Sequence, residues 1–197
     1  MTETMLRLYQ FLPATRVEGP GLRAGVWVQG CPIHCKGCAV PQTWDFAGGY
    51  LMSVEMLAQQ ILAVPNLEGV TFAGGEPFAQ AEALAILGKY LQEQHKSVIT
   101  FTGYTMQQLE AKKLKAYEDL LQVTDLLIAG PYKEERSANK IYLAGSDNQQ
   151  YYFLTSRYAY LKDKIRNMPN KVEIHIMEDG RVVVNGMMPG EEFYKLF

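Results

Sequence analysis

All three cysteines of the 197-residue chain lie within one short stretch, at Cys31, Cys35 and Cys38. A loop with this spacing can turn three sulfurs toward a common metal centre. Cysteine thiolates are the usual ligands of iron–sulfur clusters, and three of them would leave one iron of a 4Fe–4S cluster without a protein ligand. An iron with an open position can bind a further molecule. The spacing therefore predicts a metal centre that takes part in chemistry.

A zinc site or a chance grouping of cysteines is the alternative interpretation. Structural zinc sites use four ligands, and the chain has no second cysteine pair to complete such a site. His34 could be a fourth ligand only with difficulty, because it is next to Cys35 in the same loop. The spacing favours a cluster and leaves zinc open.

A second motif, Gly74, Gly75, Glu76 and Pro77, follows a predicted strand at residues 69–73. A turn with two glycines brings backbone close to a ligand, and the adjacent carboxylate could receive a cationic amine. Glycines after a strand are common, so this motif alone is weak. One βα unit after the cysteine loop, it becomes a strong indication of a cofactor site.

Strands and helices alternate along most of the chain, which predicts an α/β fold with a mostly parallel sheet. We predict strands at residues 6–12, 24–29, 69–73, 97–101 and 125–129. The first is expected at a sheet edge, because Pro13 follows it. Helices are expected after Ser53, after Pro77 with an apolar face that includes Tyr90, and after Thr105 with Gln108 in a capping box. The candidate functional turns all follow strands, so they should meet at one rim of the sheet.

Three side chains near these turns have two interpretations each. Arg23 follows a glycine-rich turn and could bind an anion, but a surface arginine is the more frequent case. Trp44 and Phe46 follow the cysteine loop and could shield the metal centre from water or pack beneath a long loop.

The C-terminal part of the chain is less regular. Residues 133–150 are polar and could form a mobile flap or a solvated loop, and residues 156–168 could form another helix. Residues 172–177 and 181–185 flank Asp179 and Gly180, which is a strong hairpin signal. His175 lies on one of these strands, where a structural or surface role is expected.

The composition is that of a globular protein, with 48% hydrophobic and 20% charged residues. The net charge of −2 gives no reason to expect nucleic acid as a partner. No stretch approaches the roughly 20 apolar residues of a membrane span, and the first residues lack the features of a signal peptide. Clustered thiols suit a reducing compartment, so we expect a cytoplasmic protein that contacts no membrane.

The motif Cys31-x-x-x-Cys35-x-x-Cys38 followed by the Gly74–Pro77 turn resembles the radical S-adenosylmethionine enzymes. Within them, residues 18–23, 43–44 and 102–104 resemble the activating proteins of glycyl-radical enzymes, and especially the small activators of anaerobic ribonucleotide reductase. The resemblance implies that the three cysteines bind a 4Fe–4S cluster whose unique iron is chelated by S-adenosylmethionine. It assigns no catalytic acid or base, since the hydrogen moves as an atom.

The resemblance also implies further cofactor contacts. Gly74, Gly75 and Glu76 would hold the methionine amine, and backbone from Gly37 through Cys38 to Ala39 would lie along the adenine. Thr102 and Gly103 would approach the ribose or the methionine part. These assignments follow the positions that match the motifs of the family.

The expected partner is a glycyl-radical enzyme, the large subunit of anaerobic ribonucleotide reductase, with a flavodoxin-type electron donor. Family members have a partial (βα)6-type barrel, which predicts one radical S-adenosylmethionine domain over residues 1–197. Its core would span about residues 16–132, and the part at 133–197 would end in a β-hairpin. Two alternatives stay open: a radical enzyme that modifies a small molecule or peptide, and a non-catalytic binding domain stapled by a metal.

Overall fold

A computed structural model describes residues 3–138, 140–176, 180 and 182–187. The strands are β1 Met5–Thr15, β2 Arg23–Val28, β3 Tyr50–Ser53, β4 Gly69–Gly74, β5 Ser97–Thr102, β6 Leu126–Ala129, β7 Gln150–Phe153, β8 Val172–Ile176 and β9 Val182–Gly186. The α-helices are α1 Val54–Leu62, α2 Ala81–Glu93, α3 Met106–Lys112 and α4 Lys115–Gln122. No helix within the described ranges is long and apolar enough to cross a membrane.

Seven strands form one sheet in the order β3-β1-β2-β4-β5-β6-β7. Its centre is parallel, because β2, β4, β5 and β6 run in the same direction as neighbours. Antiparallel strands extend it on both sides: β1 pairs with β2 and β3 pairs with β1 on one side, and β7 pairs with β6 on the other. Strands β8 and β9 form a separate antiparallel hairpin. The predicted α/β fold class and the C-terminal hairpin are confirmed.

Local sequence signals set the starts of the helices. Ser53 caps α1 by accepting a hydrogen bond from the backbone of Met56, and Thr105 forms the predicted capping box with Gln108 at the start of α3. The apolar face of α2 is buried as predicted, except that Tyr90 is 44% exposed.

Two hydrophobic clusters cover opposite faces of the sheet. The larger one packs α1, α2 and α4 against residues such as Val26 and Phe72 of the central strands. The second lies on the other face, where Ile99 and Ile128 contact side chains from residues 142–165. The second cluster fills only part of its face, and the region over β1, β2 and β4 is left as a cavity.

Several elements differ from the sequence expectations. Strand β1 is not the edge strand, because β3 pairs with its first half. The strand also does not end before Pro13 but continues to Thr15. Residues 156–168 form two short 3-10 helices, Ser156–Leu161 and Ile165–Asn167, instead of one α-helix. The 133–150 segment is neither a flap nor simply solvated, since residues 142–144 belong to the buried core. Asp179 of the predicted turn, and Met177 and Arg181 at the adjoining ends of the two predicted strands, lie outside the described residues.

Candidate functional site

The cysteine loop begins where β2 ends, at the carboxyl-terminal rim of the parallel strands. The backbone N–H of Gly30 donates to Thr43 O at 2.8 Å, and that of Cys31 donates to Trp44 O at 3.2 Å. The side chain of Gln29 donates to the carbonyls of residues 42 and 45. The segment after the cysteines therefore folds back onto the start of the loop and fixes its position.

The three cysteines are free thiols, each partly exposed. Burial raises the pKa of the Cys31 and Cys35 thiols, while hydrogen bonds from backbone groups lower it. Those backbone groups belong to Ile33 and His34 for Cys31, and to Tyr132, on the turn after β6, for Cys35. Within the described ranges, no three His, Cys, Asp or Glu side chains are grouped to hold a single metal ion.

This donor set fits a 4Fe–4S cluster. Each cysteine sulfur binds a different iron of such a cluster, so three thiolates need not meet at one ion. Backbone N–H groups directed at cysteine sulfurs are among the features that set the reduction potential of a cluster. The backbone contacts of Cys31 and Cys35 provide such groups.

The glycine turn after β4 is packed directly against the cysteine loop. Gly75 N donates to Val28 O at 2.8 Å, and Glu76 N donates to Gly30 O at 2.9 Å. A Cβ atom at Gly74 would lie 2.6 Å from Val28 N, and one at Gly75 would lie 2.3 Å from Gly30 O. Both positions therefore require glycine, because backbone atoms of the β2 end occupy the space of a side chain.

The carboxylate of Glu76 joins the β4 and β5 turns beneath the rim. Its side chain is 1% exposed and accepts three hydrogen bonds, from Phe78 N at 2.9 Å, Thr102 Oγ1 at 2.8 Å and Gly103 N at 2.8 Å. Desolvation outweighs these bonds and raises the pKa of Glu76 to about 7. The predicted site residues of two separate turns are thus held together by one buried acid.

The remaining predicted residues, Gly37 and Ala39, lie on either side of Cys38 at the end of the cysteine loop. Ala39 lines the same cavity as Gly74. Gly37 has a φ of +73° and lies against Glu134, which also forms an ion pair with Lys36 at 3.0 Å. The structure therefore places Ala39 beside the glycine turn and Gly37 at the outer side of the loop.

Sequence reasoning missed two residues that contact the predicted site. The backbone of Tyr132 lies close enough to the Cys35 sulfur to lower the pKa of that thiol. Ile33 reaches over the β5 turn, where its Cδ1 lies 2.5 Å from the position of a Cβ at Gly103. The only signal for Tyr132 was its place directly after a strand end at the same rim. Nothing in the sequence pattern marked Ile33.

The aromatic residues after the loop pack on it. The rings of Trp44 and His34 are stacked with centroids 4.6 Å apart, and Trp44 Nε1 is buried with no hydrogen-bond partner in the described structure. The ring of Phe46 lies over Gly30 and is 55% exposed. Both aromatic side chains thus cover parts of the cysteine loop.

Arg23 is far from the surface position that the sequence suggested. It is fully buried at the start of β2, where its guanidinium donates to the side chains of Thr71, Ser97 and Tyr158 and to the carbonyls of Pro20 and Val70. Burial lowers its pKa. The prediction of a surface arginine is wrong, because these buried partners come from distant parts of the chain.

The family match and two named relatives agree with this picture. Residues 17–152 match the family described as a 4Fe-4S single cluster domain. An anaerobic ribonucleoside-triphosphate reductase-activating protein of Pasteurella multocida is 29% identical over 154 residues, covering 74% of this chain and 96% of that protein. A pyruvate formate-lyase-activating enzyme of Clostridium pasteurianum is 35% identical over 131 residues, covering 63% of this chain and 51% of that enzyme. Among solved structures, QueE from Escherichia coli is similar with a TM-score of 0.43 and 21% identity, over 51% of this chain and 54% of that one.

Proposed function

This chain belongs to the family of 4Fe-4S single cluster domains, and we propose that it activates a glycyl-radical enzyme by radical S-adenosylmethionine chemistry. One observation carries the proposal: the cysteine loop and the glycine turn with Glu76 share backbone hydrogen bonds at one rim. The relatives that are named as activating proteins of anaerobic ribonucleoside-triphosphate reductase and pyruvate formate-lyase support it. Because the reductase activator is matched over 96% of its length, we propose anaerobic ribonucleoside-triphosphate reductase as the partner.

Cys31, Cys35 and Cys38 are the proposed ligands of the 4Fe–4S cluster. When bound and reduced, that cluster would supply the electron that cleaves S-adenosylmethionine into methionine and a 5'-deoxyadenosyl radical, which removes a hydrogen atom from a glycine of the partner. The tight contact between Gly75 and Gly30 keeps the glycine turn next to Cys31. A shift of either turn would separate the two halves of the site.

The rim residues have proposed roles in holding S-adenosylmethionine. Gly74, Gly75 and Glu76 would hold its amine, where the two glycines are partly exposed and the carboxylate of Glu76 lies beneath them. Thr102 and Gly103, which Glu76 fixes, would approach its ribose or methionine part. Backbone at Gly37 to Ala39 would lie along its adenine.

The wider setting is also part of the proposal. A flavodoxin-type protein would donate the electron, and the chain would act in the cytoplasm, where thiols stay reduced. We propose one radical S-adenosylmethionine domain, with a core at about residues 16–132 and a C-terminal part at 133–197.

The test uses full-length protein whose cluster is reconstituted without oxygen. After reduction with dithionite and addition of S-adenosylmethionine, we expect 5'-deoxyadenosine from the wild-type protein and none from Cys35→Ala. With anaerobic ribonucleoside-triphosphate reductase present, we expect a glycyl radical by electron paramagnetic resonance.

The outcomes separate the alternatives. Protein that is purified with zinc, takes up no iron and forms no 5'-deoxyadenosine would refute the enzyme proposal. Formation of 5'-deoxyadenosine without a radical on the reductase would refute the proposed partner and favour another substrate.

A further inference from the structure

A cavity of about 870 Å³ lies on the face of the sheet that the helices do not cover. Its floor is a row of side chains across neighbouring strands, Gln10, Trp27, Ala73 and Phe101. Ala39 and Gly74 line its end nearest the cysteine loop. The cavity therefore extends from the candidate cofactor site to the opposite side of this sheet face.

The β8–β9 hairpin closes that side. All residues of β9 line the cavity, together with Val172 of β8. The hairpin is the last described part of the chain, and it lies beyond the residues that match the family, which end at residue 152. One wall of the cavity is thus built by an element that the family match does not include.

One face of the hairpin is fastened to the domain by polar contacts. Glu173 accepts hydrogen bonds from Thr15 Oγ1 at 2.6 Å and from Arg16 N at 3.0 Å. Asn185 Nδ2 donates to Thr15 Oγ1 at 2.8 Å, and the buried carboxylate of Glu18 accepts from Gly186 N at 3.0 Å. These contacts give the hairpin a defined position over the cavity.

The other face of the hairpin is apolar. Ile174 pairs with Val184 and Ile176 pairs with Val182, and directly opposite residues of an antiparallel pair lie on the same face. We call these four residues the hairpin strip. Val182 and Val184 line the cavity, whereas Ile174 is 50% exposed and Ile176 is 79% exposed. The strip therefore continues from the cavity wall onto the open surface.

We propose that the hairpin strip binds an extended, apolar segment of the partner polypeptide and guides its glycine into the cavity. This inference rests on the proposed function. Ile174 and Ile176 do not line the cavity, so a small molecule held inside it would not contact them. A polypeptide segment that enters from solvent would pass over both. Burial of exposed isoleucine side chains is a favourable term in association.

The test compares two double variants. Ile174→Ser with Ile176→Ser removes the exposed half of the strip, and Met56→Ser with Ile86→Ser, at exposed positions of α1 and α2, is the matched control. Each reconstituted protein is assayed for 5'-deoxyadenosine without partner. Each is then titrated with anaerobic ribonucleoside-triphosphate reductase, with the glycyl radical as readout.

For the strip variant we expect unchanged 5'-deoxyadenosine formation without partner and at least a tenfold higher half-saturating concentration of the reductase. The control should match the wild type in both assays. Equal half-saturating concentrations for all three proteins would overturn this inference and leave the proposed function intact. An equal loss of activity with and without the partner would also overturn it, because the strip would then act on the fold or the cofactor. If the wild type forms 5'-deoxyadenosine but no radical on the reductase, the proposed partner and the inference fall together.

Discussion

The buried acid at the rim should make stability depend on pH. Glu76 is 1% exposed and its pKa is raised from 4.5 to about 7 by desolvation. A folded-state pKa above the unfolded value means that the contribution of the group to stability is complete below about pH 4.5. That contribution is lost as the pH rises through about 7. We therefore expect the free energy of unfolding of the metal-free protein to fall over this range.

The size of the effect follows from the two pKa values. The difference between 4.5 and about 7 corresponds to about 3 kcal/mol. The Glu76→Gln variant keeps the shape of the side chain and cannot ionise, so this loss should vanish from it. The amide of the variant faces the N–H of Gly103, which adds a cost that does not change with pH.

The assay is denaturant unfolding of the reduced, metal-free protein between pH 5 and pH 8. Between pH 5 and pH 8 the free energy of unfolding of the wild type should fall by about 2.5 kcal/mol relative to that of Glu76→Gln, because part of the total loss has already occurred at pH 5. Glu55→Gln, at an exposed position of α1, removes one carboxylate away from the rim and serves as the control. A difference between wild type and Glu76→Gln that stays constant with pH would refute the reasoning.

Substitutions at three other positions give predictions that thermal or denaturant unfolding can check. Gly75→Ala should lower the free energy of unfolding by about 2 kcal/mol, because its Cβ would lie 2.3 Å from the backbone oxygen of Gly30. Gly103→Ala should cost less than about 1 kcal/mol, since the overlap there is with the movable end of the Ile33 side chain; equal losses for the two variants would contradict this. Arg23→Lys should lower the free energy of unfolding by at least about 2 kcal/mol, because the three N–H groups of an ammonium cannot satisfy the six acceptors of the guanidinium. A neutral effect would show that water replaces these bonds.

The turns of the rim could be predicted because their signals are local. A glycine pair after an apolar run, as at Gly74 and Gly75, indicates a strand that ends in a close backbone approach. Parallel strands then bring such ends to one edge, so the sequence separation between Gly75 and Thr102 did not hide their proximity. The capping residues Ser53 and Thr105 were equally local, and the structure confirms both.

The elements that were missed depend on distant contacts. Strand β3 has only four residues, and it pairs with the first half of β1, which no local pattern indicates. The burial of Arg23 depends on Tyr158, which lies 135 positions further along the chain. Tyr142 and Leu143 lie in a polar segment, yet they pack beside Ile99 and cover part of the sheet face opposite the helices. In each case the deciding partner comes from another part of the chain, so the local sequence is not informative.

The contacts of Glu76 connect the architecture of the rim with its proposed chemistry. All three of its hydrogen bonds come from protein groups, so the side chain first serves to hold the β4 and β5 turns together. Its raised pKa shows that these donors do not fully compensate for the lost water. A cationic amine placed beside the turn would supply the missing stabilisation and would favour the ionised form. Binding of S-adenosylmethionine in the proposed position would therefore strengthen the junction of the two turns and, below about pH 7, release a proton from Glu76.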